Sequence, residues 1–352
     1  MKKILSYISL LWCVLLAQGG DAGISFALVG DIMLGSDYND QRCPAPDEVD
    51  FFEDARSYLL SADVAIGNLE GPITTSTNCT KRTEAGKVYA FRMPPYLAKH
   101  LARAGFDVLN TANNHSNDFG FSGRMDTEKI LDSLGIAHTG RFGDIAVIDV
   151  RGRKIAVIGF AINRGNFSLL DVDLASSLVR ALDKFYGLVV VTFHGGAEGA
   201  KNIHLKDGDE YFLGENRGNL KIFAHKMVDA GADIVFGHGP HIPRAVEIYK
   251  NRLIAYSLGN FCTWYGINVS GVSGLAPLIT AQIDNTTGEL LSMDIISFEQ
   301  QSRHYPKLDA QQRAKMLMIK LSEEDIGKSP FDFKKNSAGE GDKFSDEFSK
   351  NE

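Results

Sequence analysis

Seven short apolar runs punctuate the first two thirds of the chain, and each gives way to a small or polar turn rather than to more apolar sequence. They are ISFALVG (24–30), DVAIG (63–67), FDVLNTA (106–112), IAVIDV (145–150), KIAVIGF (154–160), LVVVTF (188–193) and DIVFG (233–237). Several are continuous in Val, Ile and Leu, which suits strands covered on both faces. Between them, Glu48–Leu60, Pro95–Ala104, Met125–Leu134, Leu174–Phe185 and Asn219–Ala230 carry apolar residues at three-four spacing, which predicts helices. Strand and helix in alternation restrict the chain to α/β layers.

The last part changes character. RAVEIY (244–249), LIAYSLGNF (253–261), APLITAQID (276–284) and LLSMDIISF (290–298) follow one another with tight turns. That pattern predicts antiparallel strands, either as a second sheet or as an antiparallel edge on the α/β half. Residues 309–324 read as one amphipathic helix. Beyond Pro330 the chain is rich in Lys, Asp, Ser and Gly, a composition expected of a disordered tail.

The N-terminus carries a different signal. Lys2 and Lys3 precede ILSYISLLWCVLLA, which is short for a spanning helix of about 20 apolar residues and suits a signal-peptide core. Residues 1–22 are therefore expected to be a signal peptide cleaved after Ala22, or an uncleaved anchor, placing the functional part in the periplasm or outside the cell. In that setting Cys43 and Cys79 are expected to form a disulfide, while Cys262 reads as a small buried residue. No cysteine spacing resembles a zinc ribbon. A net charge of −7 advertises no basic face for nucleic acid, so none is expected as a partner.

In α/β sheets the binding crevice lies at the carboxyl ends of the strands. Here those ends carry GDIMLGSD with Asp31, GNLEGP with Asn68 and Glu70, and NTANNHSND with Asn113, Asn114, His115 and Asp118. The later ones carry HGGAEG with His194 and Glu198, then GHGPH with His238 and His241. Taken singly, each has an ordinary explanation. Asp31 could cap a helix, the paired asparagines could shape a turn, and a histidine could be hydrogen-bonded in the core. Their accumulation on one edge points to a shared polar site, and two imidazoles on a glycine-proline corner point to a metal ion. Carboxylate, amide and imidazole without thiolate favour Mn, Fe or Zn.

The order Asp, Asn/Glu turn, Asn-His, His, then Gly-His-x-His resembles the calcineurin-like metallophosphoesterases. GDIMLG, IGNLEGP, TANNHSND, TFHGGAE and GHGPHIPRAVEIYKNRLIAYSLGNF are similar, more specifically, to the CapA family of poly-γ-glutamate capsule synthesis, over residues 25–261. The resemblance implies a four-layered α/β sandwich, with two mixed sheets flanked by helices, over residues 23–300. A C-terminal helix within 301–330 and a tail over 331–352 would follow. It implies one or two divalent ions held by Asp31, Asn68, Glu70, Asn114, His194, His238 and His241. It further implies His115 as general acid oriented by Asp118, both as candidate catalytic residues, with Glu198 supporting the ligands.

Two positions depart from the phosphoesterase pattern: Met33 replaces the histidine of Asp-x-His, and Asn68 replaces the aspartate after Gly67. The implied function is an exported, metal-dependent hydrolase or transferase of capsule synthesis or export. Its expected partners are an anionic polymer or phosphoester substrate and membrane-bound capsule synthesis proteins. The rival readings are a non-catalytic polymer-binding accessory and a periplasmic phosphoesterase unrelated to capsule.

Overall fold

The computed structural model of the chain describes residues 23–38, 45–81 and 89–333. The expected signal peptide, Cys43 and most of the expected tail lie outside these residues. Among the described residues no helix is long and apolar enough to cross a membrane.

In chain order the first strands are β1 (Ile24–Met33), β2 (Val64–Leu69), β3 (Val108–Asn110), β4 (Ala137–Thr139), β5 (Ala146–Val150), β6 (Arg153–Ala161), β7 (Phe167–Ser168) and β8 (Leu188–His194). Then come β9 (Glu210–Phe212), β10 (Glu215–Gly218), β11 (Ile234–His238), β12 (Val246–Tyr249), β13 (Arg252–Ala255), β14 (Asn260–Thr263), β15 (Leu275–Ile283), β16 (Leu290–Glu299) and β17 (Lys307–Leu308). The helices are α1 (Arg56–Ser61), α2 (Lys99–Ala104), α3 (Gly120–Ser133), α4 (Val172–Asp183), α5 (Leu220–Asp229) and α6 (Arg313–Asp325).

Two mixed sheets result, with β9 and β10 as a separate antiparallel hairpin. One has the order β17-β16-β15-β1-β2-β3-β4, with β14 also on β1; the other has the order β12-β13-β11-β8-β6-β5, with β7 on β6. β1 to β4 run parallel, as do β6, β8, β11 and β13. The antiparallel strands of the last part form edges on both sheets: β15 and β16 extend the first, and β12 pairs with β13 on the second.

Continuous apolar runs arise because each strand feeds two cores. Phe26 and Leu28 of β1 face Val190 of β8 and Phe236 of β11 between the sheets. Ala27 and Val29 face Leu59, Leu101 and Leu131 of the outer helices. Val189 and Val191 of β8 pack beneath Val179 of α4 and Phe223 of α5. Helix starts follow local chemistry: the Asp171 side chain accepts from Leu174 N–H, and Asn219 accepts from Ile222 N–H.

Two expectations are corrected. The helix read over Glu48–Leu60 is α-helical only from Arg56; its first half folds as turns, with Glu53 N–H donating to Asp50 O and Ala55 N–H to Phe52 O. The tail does not begin directly at 331. Phe331 and Phe333 pack against the core between the sheets, the cluster that also holds Met318 of α6.

Candidate metal centre

The carboxyl ends of both sheets meet at one place. β1 pairs with β15 over Ile24–Val29 and with β14 from Asp31 onward. The change of partner requires a close backbone approach at Gly30, where a Cβ would stand 2.0 Å from Gly259 O. Asp31 thereby lies between Asn68 of β2 and Asn260 of β14, its Cα partners on either side.

On the second sheet His194 and His238 end adjacent parallel strands as direct partners. The turn that follows uses Gly239 at φ 111° and His241 at φ 56°, both left-handed. At Gly239 a Cβ would stand 2.8 Å from Gly195 O, so the turn lies against the loop after β8. The bend brings the His241 ring to 6.4 Å from that of His194, centroid to centroid.

Asp31, Glu70 and His194 place ligand atoms within 4.8 Å of one another. His194 Nε2 is 3.4 Å from Glu70 Oε2, and His238 Nδ1 is 3.6 Å from Asp31 Oδ1. Glu70 Oε1, Asn114 Oδ1 and both ring nitrogens of His194 and His238 are buried without a hydrogen-bond partner. An orphaned buried polar atom costs about 1–3 kcal/mol, and native chains rarely leave several together. Carboxylate, amide oxygen and imidazole lone pairs are what a divalent cation takes, so the residues fit such an ion.

Protonation agrees with that chemistry. Burial pushes His238 down to about 4, leaving it neutral with one ring lone pair free. Glu70 stays ionised: burial opposes the charge, but the facing His194, with His115 and His241, holds its carboxyl below the usual range. Burial also works against charge on His241, yet its bond to Asp31 raises it to about 10. Its Nδ1–H donates to Asp31 Oδ2 at 2.8 Å and faces Asn260 Oδ1 at 3.1 Å. Both neighbours are acceptors, so Nε2 is the nitrogen a cation can use, after a proton leaves.

A cleft of about 470 Å³ opens beside the ligands, lined by Asn114, His115, Glu198 and His241 among others. His115 Nδ1–H donates to Asp118 Oδ2 at 2.7 Å, and its ring stacks on Phe91 at 4.2 Å. Asp118 is fixed in turn: Phe91 N–H donates to Oδ2 at 2.7 Å, and Lys81 Nζ lies 2.6 Å from Oδ1. The opposite wall is held by Arg217, 3.1 Å from Glu198 Oε1. Behind it a fully buried Arg244 forks onto Glu210 at 2.8 and 3.0 Å and onto Ala197 O at 2.9 Å, bracing the loop after β8.

Asp31, Asn68, Glu70, His194, His238 and His241 lie at the centre, Asn114, His115 and Glu198 line the cleft beside it, and Asp118 is buried behind His115. Asn68 lies among the ligands with its amide nitrogen, not its oxygen, toward Asp31 and Glu70. Sequence reasoning missed Lys81, Asn110, Arg217, Arg244 and Asn260. Asn260 within YSLGNF and Asn110 at the start of NTANNHSND had an available signal, as polar residues in motifs at strand ends. Met33 is buried and offers neither oxygen nor nitrogen.

Comparison with known proteins identifies relatives of the chain. Residues 25–265 match the family model described as bacterial capsule synthesis protein PGA_cap. Over 259 residues the chain is 31% identical to the capsule biosynthesis protein CapA of Bacillus anthracis, covering 68% of this chain and 59% of that one. Over 260 residues it is 29% identical to the PGA biosynthesis protein CapA of Bacillus subtilis, covering 68% and 63%. The chain thus spans about three fifths of the length of these relatives. A phosphatase structure from Mycoplasma pneumoniae shares the fold with a TM-score of 0.50 at 13% identity, covering 82% of this chain and 95% of that one. The fold is shared with that phosphatase structure, and the chain belongs to the bacterial capsule synthesis family PGA_cap.

Proposed function

We propose that this chain is an exported, metal-dependent hydrolase or transferase acting at a phosphoester or amide bond of an anionic, capsule-related polymer. The observation that carries this is that Glu70, His194 and His238, each with buried ligand atoms lacking a partner, lie beside Asp31, with the orphaned Asn114 oxygen on the adjoining cleft. With His241 these residues would hold a divalent ion of Mn, Zn or Fe. Such an ion supplies Lewis acidity to a phosphoryl or carbonyl oxygen and lowers the pKa of water.

The chain's own residues would do the rest. His115, with Nδ1–H held by Asp118, presents Nε2 to the cleft, where it can hand a proton to a leaving group. Phe91 fixes the ring plane. The Arg217–Glu198 pair keeps a carboxylate in the opposite wall.

The test is turnover of phosphodiester, phosphomonoester and γ-glutamyl amide substrates by metal-stripped and metal-restored protein. Turnover that returns with the ion, and is absent in His194→Ala with His238→Ala, supports the proposal. Failure of fully loaded protein to turn over any of them contradicts it.

A second reading is a non-catalytic accessory that holds anionic polymer in the same cleft. Two observations favour it. A relative in Mycobacterium tuberculosis, 28% identical over 266 residues, is named a probable polyglutamine synthesis accessory protein. The ligand set also lacks a histidine at Met33. Binding of γ-linked polyglutamate without turnover selects this reading.

A further inference from the structure

Between the two carboxylates of the centre stands an amide with no free valence. Asn68 is fully buried on β2, beside Asp31 on β1 and Asn110 on β3. Its Nδ2 donates to Asp31 Oδ1 at 2.8 Å and to Glu70 Oε2 at 2.7 Å. Its Oδ1 accepts from Asn110 Nδ2 at 2.9 Å and from Asn113 Nδ2 at 3.2 Å.

The neighbours dictate that orientation. Asn110 is pinned because its Oδ1 accepts from Ala112 N–H at 3.1 Å. Asn113 is pinned because its Oδ1 accepts from His115 N–H at 3.1 Å, while its Nδ2 donates to Leu69 O at 2.8 Å. Reversing Asn68 would aim its oxygen at two carboxylates and its NH2 at two other NH2 groups. Both donors and both lone pairs of Asn68 are therefore in use, and its oxygen has none to offer a cation.

We propose that Asn68 is a clamp rather than a ligand: by tying Asp31 to Glu70 through its NH2 group it sets the capacity of this centre at one divalent cation per chain. The inference rests on the reading of the centre as a metal site and goes beyond it by fixing the count and naming the residue responsible.

Charge leads to the same number. Among the described residues, the carboxylates that face each other at the centre are Asp31 and Glu70. Asp118 is engaged by Lys81 and His115, and Glu198 by Arg217. Two negative charges balance one divalent ion. A second ion would find no further unpaired carboxylate among the described residues of the centre to balance it, and proteins avoid holding a charge without one. Each of the two also gives one oxygen to the clamp, and Asp31 Oδ2 accepts from His241, which leaves Glu70 Oε1 as the oxygen of this pair without a partner. A carboxylate at position 68 would reverse both conditions by adding charge and removing the donated protons.

The test begins with the unmodified chain, stripped of metal, reloaded with excess Mn2+, freed of loose ion by gel filtration and measured for metal and protein content. One Mn2+ per chain, with the electron paramagnetic resonance spectrum of isolated ions, is expected. Two per chain with the spectrum of a coupled pair overturns the clamp and leaves the metal site standing; no bound ion overturns both. Asn68→Asp is then expected to raise the capacity to two. Asn68→Ala is expected to weaken the single ion by about 10–100-fold, the usual cost of losing a group that orients ligands. An Asn68→Ala protein that folds and binds Mn2+ as tightly as the unmodified chain also overturns the proposal. Should either variant fail to fold, the stoichiometry and spectrum of the unmodified chain decide alone.

Discussion

His241 Nδ1 lies 2.8 Å from Asp31 Oδ2, joining residues 210 apart and tying the carboxyl end of the first sheet to that of the second. The contact couples charge to geometry, because Asp31 both carries half of the available negative charge and aligns the His241 ring. Asp31→Asn keeps the shape and removes the charge. It is expected to remain folded by circular dichroism and to bind Mn2+ at least about a hundredfold more weakly in a calorimetric titration. Unchanged affinity contradicts a role for Asp31 in holding metal.

Catalysis and metal binding should separate at His115. His115→Ala is expected to keep its metal and lose about 10²–10⁴ in turnover of whichever substrate the loaded protein accepts. Lys81→Met leaves the metal-facing residues in place but removes a cation 3.1 Å from His115 Nδ1. The same cation lies 2.6 Å from Asp118 Oδ1, and its loss is expected to lower turnover while altering its pH profile, again at full metal content. Metal loss in both variants would place them in the ligand frame instead.

Much of this centre is legible in the sequence, for a specific physical reason. Strands buried on both faces read as apolar runs, and in a parallel arrangement their carboxyl ends gather on one edge. Asp31, Glu70, His194 and His238 each sit within two residues of such an end and could be assigned to a common place without any coordinates. His241 was legible because Gly239 and Pro240 forbid a helix. Lys81 was not, since it comes from a polar loop whose path no periodicity records. Arg244 was hidden in an apolar strand pattern, where only the Glu210 partner on a short hairpin explains a buried guanidinium. The role of Asn68 depends on which way an amide faces, and only Asn110 and Asn113 settle that.

Arg244 and Glu210 are buried with no exposed surface to rescue a lone charge. Glu210→Gln is expected to cost about 3–5 kcal/mol in urea unfolding, the penalty for breaking a buried pair from one side. A loss below about 1 kcal/mol, the level of a surface pair, contradicts the bracing role.

Asp233, before β11 and away from the metal centre, gives stability a pH dependence. Burial raises its carboxyl to about 7, against the Val189 N–H and Arg252 that favour the charged form. Its folded pKa exceeds the unfolded value of about 3.9. Its contribution is therefore full below about pH 4 and is lost as pH rises through about 7. Asp233→Asn should remove that loss, so the variant should gain on the unmodified chain in urea midpoint between pH 5 and pH 8. An equal difference at both pH values contradicts the burial effect.

Diffraction at the zinc absorption edge, from crystals of the chain grown with zinc, locates any bound ion without reference to activity. An anomalous peak about 2.0–2.3 Å from an oxygen of Asp31 or Glu70 and from nitrogens of His194 and His238 is the expected result. A zinc-loaded crystal with its peak elsewhere, and nothing between these four side chains, would mean that their convergence serves some purpose other than holding a metal.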